Sequence, residues 1–348
     1  MTQQHKISLP AEWAKQDAVL IAWPHESTDW NYMLQEVQQC YINVANAISA
    51  DERLIIVSPK PDVVAAQIAH LPNLSNIHII KVDTNDTWAR DFGPITIEQD
   101  GTYHALDFKF DGWGLKFAAD KDNLINSQLK RQGVIRCDLR NRLNFVLEGG
   151  SIESDDNGTV MTTSNCLLSP NRNGQMSKEE IEAYLKEQFG AKQVLWVDYG
   201  ELQGDDTDSH IDTLARFAPN NTIVCTRCQD SGDDHFEELE KMCEQIATFT
   251  NANGSPYKVV TLPLPKPIYD EDNQRLPATY ANFLITNNYV LMPTYAQTEL
   301  DALAMNNLQE AFPKHKVIGI DCNALIKQHG SLHCITMQLL ENTINTTL

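Results

Sequence analysis

Short β-rich runs recur from one end of this 348-residue chain to the other, and amphipathic helical segments separate many of them. Such runs lie at 17–24, 53–59, 76–82, 93–98, 144–154, 158–165, 193–200, 222–227, 258–265, 282–295, 316–321 and 333–340, with helical patterns at 33–49, 63–70, 177–189, 236–248 and 299–312. This alternation predicts a mixed α/β fold. A single core stops growing at roughly 250–300 residues, which leaves two ordinary domains or one large repetitive domain. The coarse interval between comparable runs, roughly 60–75 residues, favours a repeated β/α unit. Two hairpins are also legible, one turning at Asp156-Asn157-Gly158 and one at Asn287-Asn288, where asparagine tolerates positive φ. Ser177 and Glu180 form a capping-box pattern, and Gly190 follows the same helix.

Composition narrows the function classes. With 42% hydrophobic residues the chain has ample material for a core. No apolar stretch reaches the roughly 18 residues of a membrane span, and the polar start lacks the pattern of a secretory leader. Eight scattered cysteines fit a reducing compartment, so a cytoplasmic address is expected. A formal charge of −20 repels nucleic acid and anionic membrane surfaces and attracts small cations. Cys225 and Cys228 have C-x-x-C spacing, but no second pair follows, and on a strand the two thiols face opposite ways. His329 and His333 are four apart, yet the Gly330-Ser331 between them argues against a zinc-binding helix.

Four segments carry more acid, His and Cys beside glycine than a structural stretch needs. In NDTWARDFGPITI, Asp91 sits on a turn entering a strand, where an isolated Asp ordinarily satisfies turn backbone groups. In LNFVLEGGSIES, Glu148 ends an apolar run before Gly149-Gly150, which lets a carboxylate approach a ligand closely. In QGDDTDSHIDTLARF, an extended His210-Ile211-Asp212 points His210 and Asp212 to one face, suited to acid–base work; a solvated acidic loop is the plainer reading. In KQHGSLHCITMQ, a polar loop delivers Cys334 to the start of an apolar run, where a nucleophilic thiol is usually placed. Cys40, Cys166 and Cys243 read as small buried hydrophobes. One thiol, one His–Asp pair and two more carboxylates suit a planar, cationic, donor-rich substrate such as a guanidinium, which carboxylates grip through paired N–H bonds.

The ordered segments WARDFGP, LEGGSIE, DDTDSHID and HGSLHCIT resemble the signature of the agmatine deiminases, in the Porphyromonas-type peptidyl-arginine deiminase family of the guanidine-modifying superfamily. The opening LPAEWAKQDAVLIAWP is similar too, so the resemblance covers about residues 9–340. It implies a five-bladed pseudo-symmetric α/β propeller of ββαβ units, a single catalytic domain over 1–348 with the site at its centre. By motif, Cys334 matches the nucleophile, His210 the general acid/base, Asp91 and Asp212 the carboxylates that clasp the guanidinium, Glu148 an additional acid, and Trp88 an aromatic wall. The implied reaction hydrolyses agmatine to N-carbamoylputrescine and ammonia through a covalent thiouronium adduct, with protonated His210 serving the leaving ammonia and with no metal or organic cofactor. Asp206 or Asp208 would meet the distal amine of agmatine. The alternatives are peptidyl-arginine or free-arginine deimination, amidino transfer, and a non-catalytic polyamine-binding protein. No nucleic-acid or membrane partner is expected, and a homodimer is the base-rate expectation. The chain departs from the family pattern at Ser209, where glycine is usual, and at His329-Gly330-Ser331-Leu332, where the family has a Gly-rich run.

Overall fold

The chain builds its strands in antiparallel pairs, each followed by a helix and a third strand parallel to the second. The computed structural model describes residues 6–347, so residues 1–5 and 348 of the expected domain lie outside the described residues. Four stretches follow the pattern in turn. In the first, Ile95–Gln99 pairs antiparallel with Thr102–Lys109, and the helix Ile125–Arg131 leads to the parallel Asp138–Val146. The second runs Ile152–Ser154, Thr159–Thr163, helix Lys178–Phe189, Gln193–Val197. The third runs Ala215–Ala218, Thr222–Arg227, helix Phe236–Ala247, Lys258–Pro263. The fourth runs Leu284–Ile285, Tyr289–Thr294, helix Thr298–Ala311, Lys316–Asp321.

The fifth joins the two ends of the chain. Thr336–Leu340 pairs antiparallel with Gln16–Ala22, and the helix Leu34–Ser49 then leads to the parallel Arg53–Ser58, beside which lies Ile77–Lys81. The five sheets are separate, of three or four strands each. Successive first strands begin at Ile95, Ile152, Ala215, Leu284 and Thr336; the two middle intervals fall within the range expected from the sequence and the two outer ones are shorter.

Local chemistry explains these elements. Helix Leu34–Ser49 buries Val37, Cys40, Tyr41, Val44, Ala45 and Ile48, an i, i+3, i+4, i+7 stripe lying on a sheet whose strands are apolar almost throughout. Helix Lys178–Phe189 starts at the Ser177–Glu180 capping box and stops at Gly190, which is left-handed (φ 64°). The run read at 144–154 is broken instead: Glu148 leaves the strand and Gly149–Ser151 makes a 3₁₀ turn before the next strand begins. Thr102–Lys109 and Ala215–Ala218 are strands that the sequence pattern did not announce, the latter being only four residues long. The Asn287-Asn288 hairpin forms without positive φ at either residue; their amides tie it to Gln16, Asp51 and Glu52. No helix is long and apolar enough to cross a membrane among the described residues.

Candidate active site

The segment just before each first strand turns toward one point, and the four chemical motifs are four of these five turns. Asp91 lies on the helical turn Ala89–Phe92, Glu148 and Gly150 on the turn before Ile152, and His210 and Asp212 on the turn before Ala215. Asn282 precedes Leu284, and His333 and Cys334 precede Thr336. Hydrogen bonds knit the turns together. Arg90 N donates to Cys334 O at 3.1 Å, Gly150 N to Asp91 Oδ1 at 3.0 Å, and Asn282 Nδ2 to Asp212 O at 3.4 Å.

Glycine at position 150 makes the convergence possible. A Cβ there would lie 2.7 Å from His210 Nδ1, 2.8 Å from Asp91 Oδ1 and 3.0 Å from Asp212 Oδ2, closer than real side chains come. The Gly-Gly of LEGG is therefore a packing requirement. The His210–Asp212 pair reaches the site differently from the extended arrangement expected. Ile211–Thr213 is a 3₁₀ turn, while Ile211 and Leu214 are buried in the core as anticipated.

Asp91, Glu148, His210, Asp212 and Cys334 are brought together and are all buried. Cys334 Sγ lies 3.3 Å from Asn282 Oδ1 and 3.9 Å from Asp212 Oδ2, and His210 Nδ1 lies 3.6 Å from Asp91 Oδ1. Both ring nitrogens of His210, Asp212 Oδ1 and Glu148 Oε2 are buried with no hydrogen-bond partner among the described residues. A buried polar atom left unpaired is costly, so such a cluster is suited to a ligand that brings several donors. Trp88, on the same turn as Asp91, packs against Gly330, where a Cβ would meet its ring at 2.2 Å.

Burial and charge set the protonation of these groups. Burial, then the charges of Asp212 and Glu148, push the Asp91 carboxyl well above its usual value. Burial likewise raises Glu148, although Arg172 pulls it back. Burial would raise Asp212 too, but the hydrogen bond and charge of His333 hold it below the ordinary range. Burial lowers His210 to about 3 and drives the Cys334 thiol well above its usual value, with Asp212 and Asp91 adding to the latter. In the empty site burial therefore disfavours both the thiolate of Cys334 and the imidazolium of His210.

A narrow cleft leads in between Trp88, Trp113 and Phe117, with Asp29, Asp86, Asp206 and His329 also on its walls and Cys334 and Asp91 within it. The expectation that Asp206 or Asp208 faces the substrate divides here. Asp206 lines the cleft, whereas Asp208 is spent on two cations: Arg172 Nη1 at 2.5 Å and Lys116 Nζ at 2.9 Å. Two groupings bring metal-ligating atoms within 4.8 Å of one another, Glu148–Cys166–His210 and Glu12–Glu153–His333. In both, arginine already compensates the carboxylates: Arg172 on Glu148, and Arg216 on Glu12 and Glu153.

Sequence reasoning missed several members of the site. Trp113 donates its indole N–H to Asp91 Oδ2 at 2.9 Å from a stretch, Gly112–Leu115, held at positive φ throughout. Asn282 accepts from the backbone N–H of His333 (2.9 Å) as well as from the Cys334 thiol. Glu12 and Arg216 lie beneath His333. For Trp113 the flanking glycines were a usable signal, and for Asn282 its place before the first strand of the fourth repeat was another.

The model of the Porphyromonas-type peptidyl-arginine deiminase family matches residues 8–339. A Mycoplasma capricolum protein named "Putative agmatine deiminase" is 33% identical, over 95% of this chain and 94% of its own. Among solved structures, the Porphyromonas gingivalis "Putative Arginine Deiminase" is 47% identical with a TM-score of 0.93, covering 98% of this chain and 100% of that one. The substrate-bound C. jejuni agmatine deiminase, a cysteine-to-serine variant, is 39% identical with a TM-score of 0.91, covering 98% of each chain. A likeness of fold alone (10% identity, TM-score 0.50) extends to a dimethylarginine dimethylaminohydrolase.

Proposed function

The chain belongs to the Porphyromonas-type peptidyl-arginine deiminase family, and from that premise we propose that it hydrolyses agmatine to N-carbamoylputrescine and ammonia. The observation that carries the choice of substrate is the sign of the cleft. Its ionisable wall groups include Asp29, Asp86, Asp91 and Asp206, while the nearby cations Lys116 and Arg172 are bound to Asp208. A second ammonium suits that wall, and the α-carboxylate of free arginine does not. Asp206 and Asp86, which burial raises to about 6 and about 7, are the groups suited to the amine; a bound cation would favour their ionised forms.

In the mechanism, the guanidinium settles among Asp91, Glu148 and Asp212 and supplies donors to these carboxylates, including the unpaired Glu148 Oε2 and Asp212 Oδ1. Its charge lowers the cost of a thiolate beside it, so the Cys334 proton passes to neutral His210 as Sγ bonds to the guanidinium carbon. The resulting imidazolium protonates one nitrogen, the C–N bond breaks, and ammonia leaves a cationic thiouronium on Cys334. Neutral His210 then takes a proton from water as the oxygen adds to carbon. The C–S bond breaks with return of the hydroxyl proton to sulfur, leaving the ureido product. The proton on His210 escapes to solvent, where it balances the ammonia as ammonium.

We extend the proposal to the architecture. The repeated hairpin–helix–strand connection, and the five turns that meet at one site, support reading the sheets as blades of a pseudo-symmetric propeller within a single catalytic domain. A cytoplasmic homodimer acting apart from nucleic acid and membranes is the setting we propose for it. The test is ammonia and ureido product from agmatine, free arginine and an arginyl peptide at equal concentration, with Cys334→Ala as control. Preference for agmatine, abolished in the variant, is expected. Preference for either other substrate overturns the assignment, and turnover by the variant overturns the chemistry.

A further inference from the structure

His333 is buried between two carboxylates at the back of the site. Its Nδ1 is 2.6 Å from Asp212 Oδ2, and its Nε2 is 2.7 Å from Glu12 Oε1 and 3.0 Å from Arg216 Nη2. Glu12 is itself held by Arg90 Nη1 at 2.9 Å and by Arg216 Nη2 at 2.5 Å. Asp212 then has one oxygen engaged from behind, while the other, Oδ1, is buried and has no partner among the described residues.

We infer that His333, braced by Glu12, is a positioning residue: its Nδ1–H fixes the plane of the Asp212 carboxylate and keeps it an anion facing the reacting carbon. The inference rests on the proposed attack of Cys334 on a cationic guanidine. Donation from Nδ1 holds in both protonation states that the contacts allow, because Nε2 either donates to Glu12 or accepts from Arg216. The groups facing His333 are Asp212, Glu12, Arg216 and Arg90; those facing Asp212 are His333, His210, Arg216, Asp91 and Cys334. Asp91 is the useful contrast. Among the described residues it accepts from the neutral donors Trp113 Nε1 and Gly150 N, and its carboxyl is driven upward where that of Asp212 is held down. One clasping carboxylate is thus kept ionised from behind before the substrate arrives.

Two substitutions separate this role from packing. The amide of asparagine falls near Nδ1 of histidine and that of glutamine near Nε2, so His333→Asn keeps a donor to Asp212 and His333→Gln loses it. The readout is alkylation of Cys334 by cationic chloroacetamidine against neutral chloroacetamide, measured from pH 3 to 7, beside the pH profile of kcat/KM. Losing the donor raises the pKa of Asp212, so its anion disappears at a higher pH on acidification. In His333→Gln the acid limb is expected to move up by about one pH unit, and the cation-to-neutral rate ratio on that limb to fall about tenfold. His333→Asn is expected to stay near the wild type. An unchanged ratio and limb in the glutamine variant overturn the inference, as does an asparagine variant equally impaired. Should either variant fail to fold, ¹⁵N-histidine spectra of the unaltered protein decide: a protected Nδ1–H is expected at His333, and an unprotonated Nδ1 overturns the role. The alkylation ratio needs no turnover, so a wild type silent on agmatine would sink the substrate assignment and leave this test standing.

Discussion

The floor of the site and its mouth hold their charges in opposite ways. Under Cys334 and Asp212, buried Arg90 and Arg216 meet Glu12, Glu153 and the imidazole of His333, so each arginine has a carboxylate in contact. At the mouth, Asp29, Asp86 and Asp206 share a cleft wall, and the cations beside them are engaged by Asp208. The backbone differs too. Gly112–Leu115, Asp208, Ser209 and His329 all sit at positive φ around the mouth, a conformation that costs non-glycine residues energy. Paired charges in the floor fix geometry independently of a ligand. Unpaired acids and strained turns at the mouth are the part of the molecule that a cationic ligand relieves.

Breaking the floor gives the largest effect expected. Arg216→Met leaves Glu12 and Glu153 buried without their main cation, a type of loss worth about 3–5 kcal/mol; chemical denaturation reads it directly. A stability unchanged by that substitution would mean that the floor charges are not paired as described. The acids near the mouth act through pH. Asp86 and Asp122 are raised to about 7 and Asp206 to about 6, above the roughly 3.9 of an unfolded aspartate. The folded chain therefore binds more protons than the unfolded one between about pH 4 and 7, and stability is lost as pH rises across that interval. Melting temperature is expected to fall over that window in the empty protein and to fall less with agmatine bound to Cys334→Ala, where no turnover interferes.

The catalytic turns above the floor were the most legible part of the site. Arg90-Asp91, Glu148 with its two glycines, His210-Asp212 and His333-Cys334 are close in sequence because each pair occupies one short turn, so motif reading finds them. What it could not find are partners that meet only through the fold. Glu12 is 321 residues from His333, and Asn282 is 52 from Cys334. The extended geometry assumed for His210-Ile211-Asp212 failed because the turn before Ala215 closes as 3₁₀, something alternation alone does not encode. At the mouth, Asp206 and Asp208 look equivalent in sequence, and only the reach of Lys116 and Arg172 tells them apart.

That distinction gives the next prediction. Asp206→Asn is expected to raise the KM for agmatine about tenfold, the loss of roughly 1.4 kcal/mol from one ion pair with the amine. A guanidine lacking that amine should be nearly unaffected. Asp208→Asn, which loosens Arg172 and Lys116, is expected to lower stability more than it changes KM. Equal KM effects from the two would mean that the mouth acts through its summed field and not through one acid.

The smallest effect tests the strain itself. Ser209 lies at φ 66°, its N–H donating to Asp205 and its carbonyl accepting from Thr163 Oγ1, both backbone contacts that glycine retains. Ser209→Gly removes a left-handed penalty of about 1–2 kcal/mol but loosens the unfolded chain by about 0.4–1 kcal/mol, so a gain between zero and about 1.6 kcal/mol is expected. His329 has the same φ, but its ring nitrogen Nδ1 lies 2.7 Å from Gly204 O. His329→Gly gives up that contact together with the strain, and its stability should hardly change. Denaturation of the two variants side by side separates the readings. A gain in Ser209→Gly alone means that strain at the mouth is uncompensated at 209 and offset by a side chain at 329. A loss in Ser209→Gly means that the serine, despite its backbone, contributes packing that outweighs the strain.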